Sequence, residues 1–372
     1  MVSAGCANAE GEDTHASPLS EGAVSMRALD AVRVRALPHL RAPAPPAPSA
    51  ATGAIVAYFA SWTRDVLPVS SIPWTKITHL AHAFVMPSAT GGLKNVAGYV
   101  DATLISEAHA HGVKVLASVG GWGASFDVNT DPGIRKKTVA AMAALCLTHG
   151  YDGIDLDWEF PTATTAPAWS AMITELTAAL GTDYTVSAAI SAARSNIDVL
   201  PKAALEKLSF IGVMTYDYAG PWSKTTGHGA PLYPSKGGDG GSVSESIAHL
   251  TDTVGIARER VFIGLPFYGY EFAANTLAAS PVAPSNGIDY RLLANRVGTA
   301  GWVKSRDTGA AVPYLSRTAS PGFTTYDDEV SIAQKCSYAR AKGLGGAIVW
   351  HLAGDRMADG TQPLLDAAQD CR

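Results

Sequence analysis

The sequence predicts a closed (β/α)8 TIM barrel, an α/β fold, and three observations predict it. Short β-rich apolar runs alternate with longer segments of helical pattern, the signature of βαβ units on a parallel sheet. Once an N-terminal lead-in and one insertion are set aside, about 260 residues remain, close to the ~250 such a barrel needs. Acidic and aromatic residues gather at the C-terminal ends of the apolar runs, where barrel enzymes keep their active sites.

Residues 1–52 of the 372 lack sustained periodicity and close on a Pro/Ala run, Ala42 to Pro48, which reads as an extended linker after a disordered lead-in. No basic start followed by an apolar core, as a secretory leader needs, shows before Glu10, Glu12 and Asp13. Strands are expected over 54–59, 77–84, 113–119, 153–159, 184–190, 210–216, 261–266 and 346–351. Helices are expected over 102–111, 132–149, 166–180, 243–254 and 328–342, with Pro132 marking a helix start. An insertion over 271–326 follows the seventh strand. Its helix-like patch, Asp289 to Leu293, between extended pieces predicts a small α+β lobe walling one side of the barrel mouth. Residues 53–372 then form one barrel domain that carries the lobe.

Composition excludes several function classes. Charged residues are only 16% and the net charge is −5, with no run of Lys and Arg, so a nucleic-acid partner is not expected. No stretch has the ~18 consecutive apolar residues of a membrane helix, and a monomer is expected. Of the four cysteines, Cys336 and Cys371 could pair in an oxidising environment, the alternative being two partly buried thiols. His79 and His82 fall on opposite faces of a strand, and His109 and His111 share no helix face, so no metal site follows. The run Gly237 to Gly241 lacks the strand, lysine and helix of a phosphate loop; it reads as a mobile loop, and no cofactor is expected.

The strongest chemical signal is Asp152-Gly153-Ile154-Asp155-Leu156-Asp157-Trp158-Glu159. On one strand Asp155, Asp157 and Glu159 point the same way. Three inward carboxylates repel one another and are costly to desolvate, so they are expected to share protons, with at least one held neutral. A metal site built on them has no nearby histidine. Glu159, nearest the strand's C-terminal end, is best placed to act on a substrate, and Asp152 braces the strand's start.

Asp-x-x-Asp-x-Asp-x-Glu at the end of a fourth barrel strand closely resembles the signature of glycoside hydrolase family 18, the chitinases. Ser118-Val119-Gly120-Gly121 ends the third strand, and Met214-Thr215-Tyr216-Asp217 the sixth, as that family's motifs do; Trp350 ends the eighth like its tryptophan. The stretch after Pro266-Phe267-Tyr268-Gly269 is similar to the extra lobe of a deep-groove subgroup, with Tyr270 where that subgroup commonly has arginine.

The resemblance implies a secreted, cofactor-free chitinase acting on chitin or chitooligosaccharides by retaining, substrate-assisted chemistry. It implies that Glu159 is general acid and then base, and that Asp157 orients the substrate's 2-acetamido group. Asp155 would share a proton with Asp157, and Tyr216 would aim the acetamido oxygen at C1. Asp217 and Met214 would line the sugar site, Trp350 would lie beneath the sugar, and Tyr58 and Phe84 would line the acetamido pocket. Trp122, Trp222 and Tyr268 are placed along the groove, Ser118 supports the carboxylates, and Trp302 either packs or binds. The other readings are an endo-β-N-acetylglucosaminidase on N-glycan cores, which a glycoprotein assay distinguishes, and a chitinase-like lectin, which an intact Glu159 argues against.

Overall fold

The computed structural model of the protein describes residues 53–280, 286–317 and 319–372, so the expected linker and lead-in lie outside the described residues. In chain order the strands are β1 (Ala54–Ala60), β2 (His79–Val85), β3 (Lys114–Gly120), β4 (Gly153–Asp157), β5 (Thr185–Ser191), β6 (Phe210–Met214) and β7 (Val261–Pro266). They continue with β8 (Tyr268–Phe272), β9 (Asn286–Asp289), β10 (Trp302–Asp307), β11 (Val312–Arg317), β12 (Phe323–Thr325) and β13 (Gly346–Trp350). The first seven and β13 close into a parallel barrel, with β13 paired between β7 and β1. Barrel strands are covered on both faces and read as continuous apolar runs; in β1 every residue of AIVAYFA is buried.

Between β7 and β13 the chain builds a second, antiparallel sheet in the order β10-β11-β12-β8-β9. Its first strand starts at Tyr268, upstream of the expected start at 271. The helix-like patch is a short helix, Tyr290–Leu293. Trp302 packs in this sheet with the guanidinium groups of Arg296 and Arg317 at 5.1 and 4.5 Å from its ring.

Local chemistry sets the helix limits. In α1 (Ala102–Ala110) Asp101 caps the first turn through Leu104 N–H. Asp131 accepts from Gly133 and Ile134 at the start of α2 (Pro132–His149), and Gly150 ends that helix at φ 84°. Then α3 (Ala166–Leu180) and α4 (Val243–Ala248) follow; α4 stops short of the expected 254 because the next turn, His249–Thr253, is a wider π turn. That turn holds buried His249 with Nε2 2.6 Å from Asp198 Oδ1. α5 (Glu329–Lys342) carries Cys336, which is disulfide-bonded to Cys371, while Cys146 is a buried free thiol. Among the described residues no helix is long and apolar enough to cross a membrane.

Two strands end earlier than expected, and both ends lie at the site. The expectation that Glu159 sits on the strand is corrected: β4 stops at Asp157, whose carbonyl accepts from Gly121 N–H at 2.8 Å. β6 stops at Met214 instead of Tyr216, because the Thr215 hydroxyl takes over the ladder to β7. It donates to Gly264 O at 2.9 Å and accepts from Gly264 N–H at 2.8 Å.

Candidate active site

The barrel register assembles the site's foundation. β3 sets Ser118 beside Asp155, and β5 sets Ser187 on its other side. Ser118 Oγ and Tyr58 Oη donate to Asp155 Oδ2 at 2.9 and 2.8 Å, and Ser187 Oγ donates to Oδ1 at 2.7 Å. Burial raises the Asp155 pKa and the three hydroxyl donors pull it back. Hydroxyls from β1, β3 and β5 hold the Asp155 carboxyl.

Asp157 is the opposite case. Its side chain is buried, and Oδ1 has no hydrogen-bond partner among the described residues. Burial first, then the charges of Glu159 and Asp155, hold its carboxyl well above the usual range. Glu159 lies two residues beyond the strand, partly exposed, at the cis Glu159-Phe160 peptide. Burial and then the charge of Asp217 push it to about 7.

Close approach explains the two glycines ending β3. A Cβ on Gly120, at φ 120°, would lie 2.0 Å from Asp157 O, and one on Gly121 would lie 2.6 Å from the Phe84 ring.

From the sixth strand's end come Tyr216 and Asp217. Burial, followed by the charge of Asp157, raises the Tyr216 phenol well above its ordinary value, so it stays a neutral donor. Its ring meets Tyr268 edge-on at 6.0 Å. Asp217 sits in the left-handed backbone region at φ 64°, and its Oδ1 accepts from Tyr268 Oη and Tyr270 Oη at 2.5 and 3.0 Å. Burial pushes this carboxyl to about 6 despite both donors. Tyr270 therefore makes a polar contact from the lobe.

The aromatic residues divide into a packed group and a ring of exposed ones. Tyr58, Phe84, Met214 and Trp350 share one cluster inside the barrel mouth, with Phe84 stacked on Trp350 at 5.5 Å and Tyr58 edge-on to Trp350 at 5.7 Å. Trp62, Trp122 and Trp222 are 57, 65 and 51% exposed, large apolar area left to water. Trp62 lies against Phe84 and Trp350, and Trp222 is edge-on to Tyr270 at 5.8 Å. The run Gly237 to Gly241, expected as a mobile loop, is hydrogen-bonded to its neighbours. Gly238 N–H donates to Thr226 O, and Asp239 accepts from Ser223 Oγ at 2.8 Å.

Such a set, clustered acids with opposed environments under a rim of exposed indoles, suits proton transfer to a bound saccharide. The family model for glycosyl hydrolases family 18 matches residues 54–355. The chain belongs to glycoside hydrolase family 18. Chitinase 1 of Aphanocladium album is 27% identical over 347 residues, 80% of this chain and 81% of that protein. Chitinase A1 of Niallia circulans is 27% identical over 66% of this chain; that protein is longer, and the chain spans 41% of it. A family 18 N-acetylglucosaminidase structure from Paenibacillus barengoltzii superposes with a TM-score of 0.78 at 26% identity, covering 86% of this chain and all of that one.

Sequence reasoning about this family 18 hydrolase missed Ser187, which no motif marks and only the β4–β5 register brings to Asp155.

Proposed function

We propose that this glycoside hydrolase is a chitinase that cleaves β-1,4 bonds between N-acetylglucosamine units of chitin and chitooligosaccharides with retention, the substrate's own acetamido oxygen attacking C1. The observation that carries the reading is Asp157: a buried carboxyl with an orphaned Oδ1, next in line to Glu159 on the same strand end. A buried acceptor without a partner is costly, and an acetamido N–H is the donor that would satisfy it. The relatives agree on the sugar, two being named chitinases and the third an N-acetylglucosaminidase.

Each group then has a task. Glu159, held near 7, is protonated enough at neutral pH to give its proton to the glycosidic oxygen and basic enough to take one from water afterwards. Asp157 orients the acetamido nitrogen and balances the cationic intermediate, with Asp155 fixed behind it. Tyr216, a neutral phenol, aims the acetamido oxygen. Trp350 and Phe84 form an apolar floor for the sugar, and Trp62, Trp122 and Trp222 offer stacking faces along an open groove, which supports cleavage within chains. The Cys336–Cys371 disulfide supports work outside the cell.

The test compares an N-acetylglucosamine hexamer with the same oligomer carrying free amines. Cleavage of the first alone is expected. Turnover of the amine form, or of a glycoprotein core in place of the hexamer, would overturn the reading.

A further inference from the structure

Two aromatic residues of the barrel mouth, Trp62 and Phe84, each follow directly on a residue that is tied to the other's strand. Ser61 precedes Trp62 just past β1, and Ala83 precedes Phe84 near the end of β2, where the register sets Phe59 opposite His82 and Ala60 opposite Ala83. Ser61 Oγ donates to Ala83 O at 2.6 Å and lies 3.0 Å from His82 Nε2. A hydroxyl has one hydrogen, and the carbonyl, which can only accept, takes it. The imidazole is therefore the donor to Ser61, with its hydrogen on Nε2, and Nδ1 is left to accept from Tyr151 Oη at 2.9 Å. Fully buried His82 thus uses both ring nitrogens. Its ring is stacked on Tyr99 at 4.3 Å, and Tyr99 Oη donates to His82 O at 2.6 Å.

We propose that Ser61 and His82 are positioning residues for saccharide binding: they lock the start of the Trp62 turn to the Ala83–Phe84 peptide and so fix the Trp62 indole beside Phe84 and Trp350. The proposal rests on the reading of Trp62 as a stacking face for the sugar chain. Trp62 is exposed, with the rings of Phe84 and Trp350 at 6.1 and 6.4 Å, and contacts that loose leave the direction of the indole to its backbone. That backbone is the single turn Ser61–Thr63. Its far side is held by Arg64, whose Nη2 lies 2.9 Å from Asp101 Oδ2, and its near side by the Ser61 hydroxyl. His82 keeps that hydroxyl aimed at Ala83 O, because a ring nitrogen that donates to Ser61 Oγ leaves the hydroxyl hydrogen for the carbonyl. Neither residue touches the sugar in this account; both act through Trp62 and Phe84.

The experiment is a double-mutant cycle of Ser61→Ala and Trp62→Ala on an N-acetylglucosamine hexamer, together with 19F NMR of the full chain labelled with fluorotryptophan. The Trp62 and Trp222 signals are assigned by their loss in Trp62→Ala and Trp222→Phe. In Ser61→Ala the KM should rise about three- to tenfold with kcat within about twofold, and in the Trp62→Ala background the same substitution should raise KM no further. The Trp62 signal should shift or broaden while that of Trp222, on the other side of the mouth, stays in place. His82→Phe keeps a ring in the stack and removes both nitrogens; it should move the Trp62 signal in the same way, and Ser61→Ala carries the test if that core variant folds badly. An equal rise in KM in both backgrounds, or a Trp62 signal that Ser61→Ala leaves unmoved, overturns the proposal. A displaced Trp62 signal in a protein whose parent fails to cleave the hexamer supports the positioning and counts against the proposed activity.

Discussion

Ser187 Oγ lies 2.7 Å from Asp155 Oδ1 and donates to it across the β4–β5 pairing, completing a set of three hydroxyls on a buried carboxylate. Removing one of them leaves a buried acceptor short of a partner. Ser187→Ala should cost about 1–3 kcal/mol of stability, read from denaturant unfolding. A change below a few tenths would mean that this hydrogen bond is not part of the foundation.

Glu159→Gln removes the transferable proton but little volume. Turnover on a chitooligosaccharide should fall by about 10²–10⁴-fold with KM nearly unchanged, as steady-state kinetics will show. A loss expressed mainly in KM would make Glu159 a binding group.

The same substitution should stabilise the protein at alkaline pH. Glu159's folded pKa, about 7, lies above its ordinary value of 4.5, so the neutral acid's advantage is complete at low pH and is lost as pH rises through about 7. Glutamine cannot ionise. The Tm difference between variant and parent should therefore widen from pH 5 to pH 8, and a constant difference would contradict the burial of this charge.

Activity should fall above about pH 7, where the free enzyme loses the Glu159 proton. The kcat/KM profile checks this directly. An upper limb beyond pH 9 would assign the acid to another group.

The Cys336–Cys371 bridge closes a 35-residue separation and ties α5 to the C-terminal end of the chain, far in sequence from the acids. Chain entropy alone gives such a closure about 3–4 kcal/mol, so mild reduction should lower the Tm while leaving kcat/KM at 25 °C intact. Loss of activity in the still-folded reduced protein would show a coupling that this account lacks.

Much of this was legible because barrel strands carry their chemistry in order along the chain. The bounds of β7, α2 and α3 follow from apolar runs, Pro132 and glycine punctuation. The exact ends of β4 and β6 did not follow, since they depend on Gly121 and Gly264 in neighbouring strands. The grouping of Tyr58, Phe84, Met214 and Trp350 follows from strand-end position, but the Tyr58 hydroxyl's attachment to Asp155, 97 residues away, is a matter of barrel closure. Ser187 and the paired phenols on Asp217 are register effects of the same kind, invisible to spacing within one strand.

The central claim is that the acetamido group, held by Asp157 while Glu159 protonates the glycosidic oxygen, is the nucleophile. The most direct test is the anomeric form of the reducing end newly formed on cleavage of an N-acetylglucosamine hexamer, followed by proton NMR before mutarotation. The account predicts the β anomer, with Glu159→Gln silent on the same timescale; an initial α anomer would contradict it.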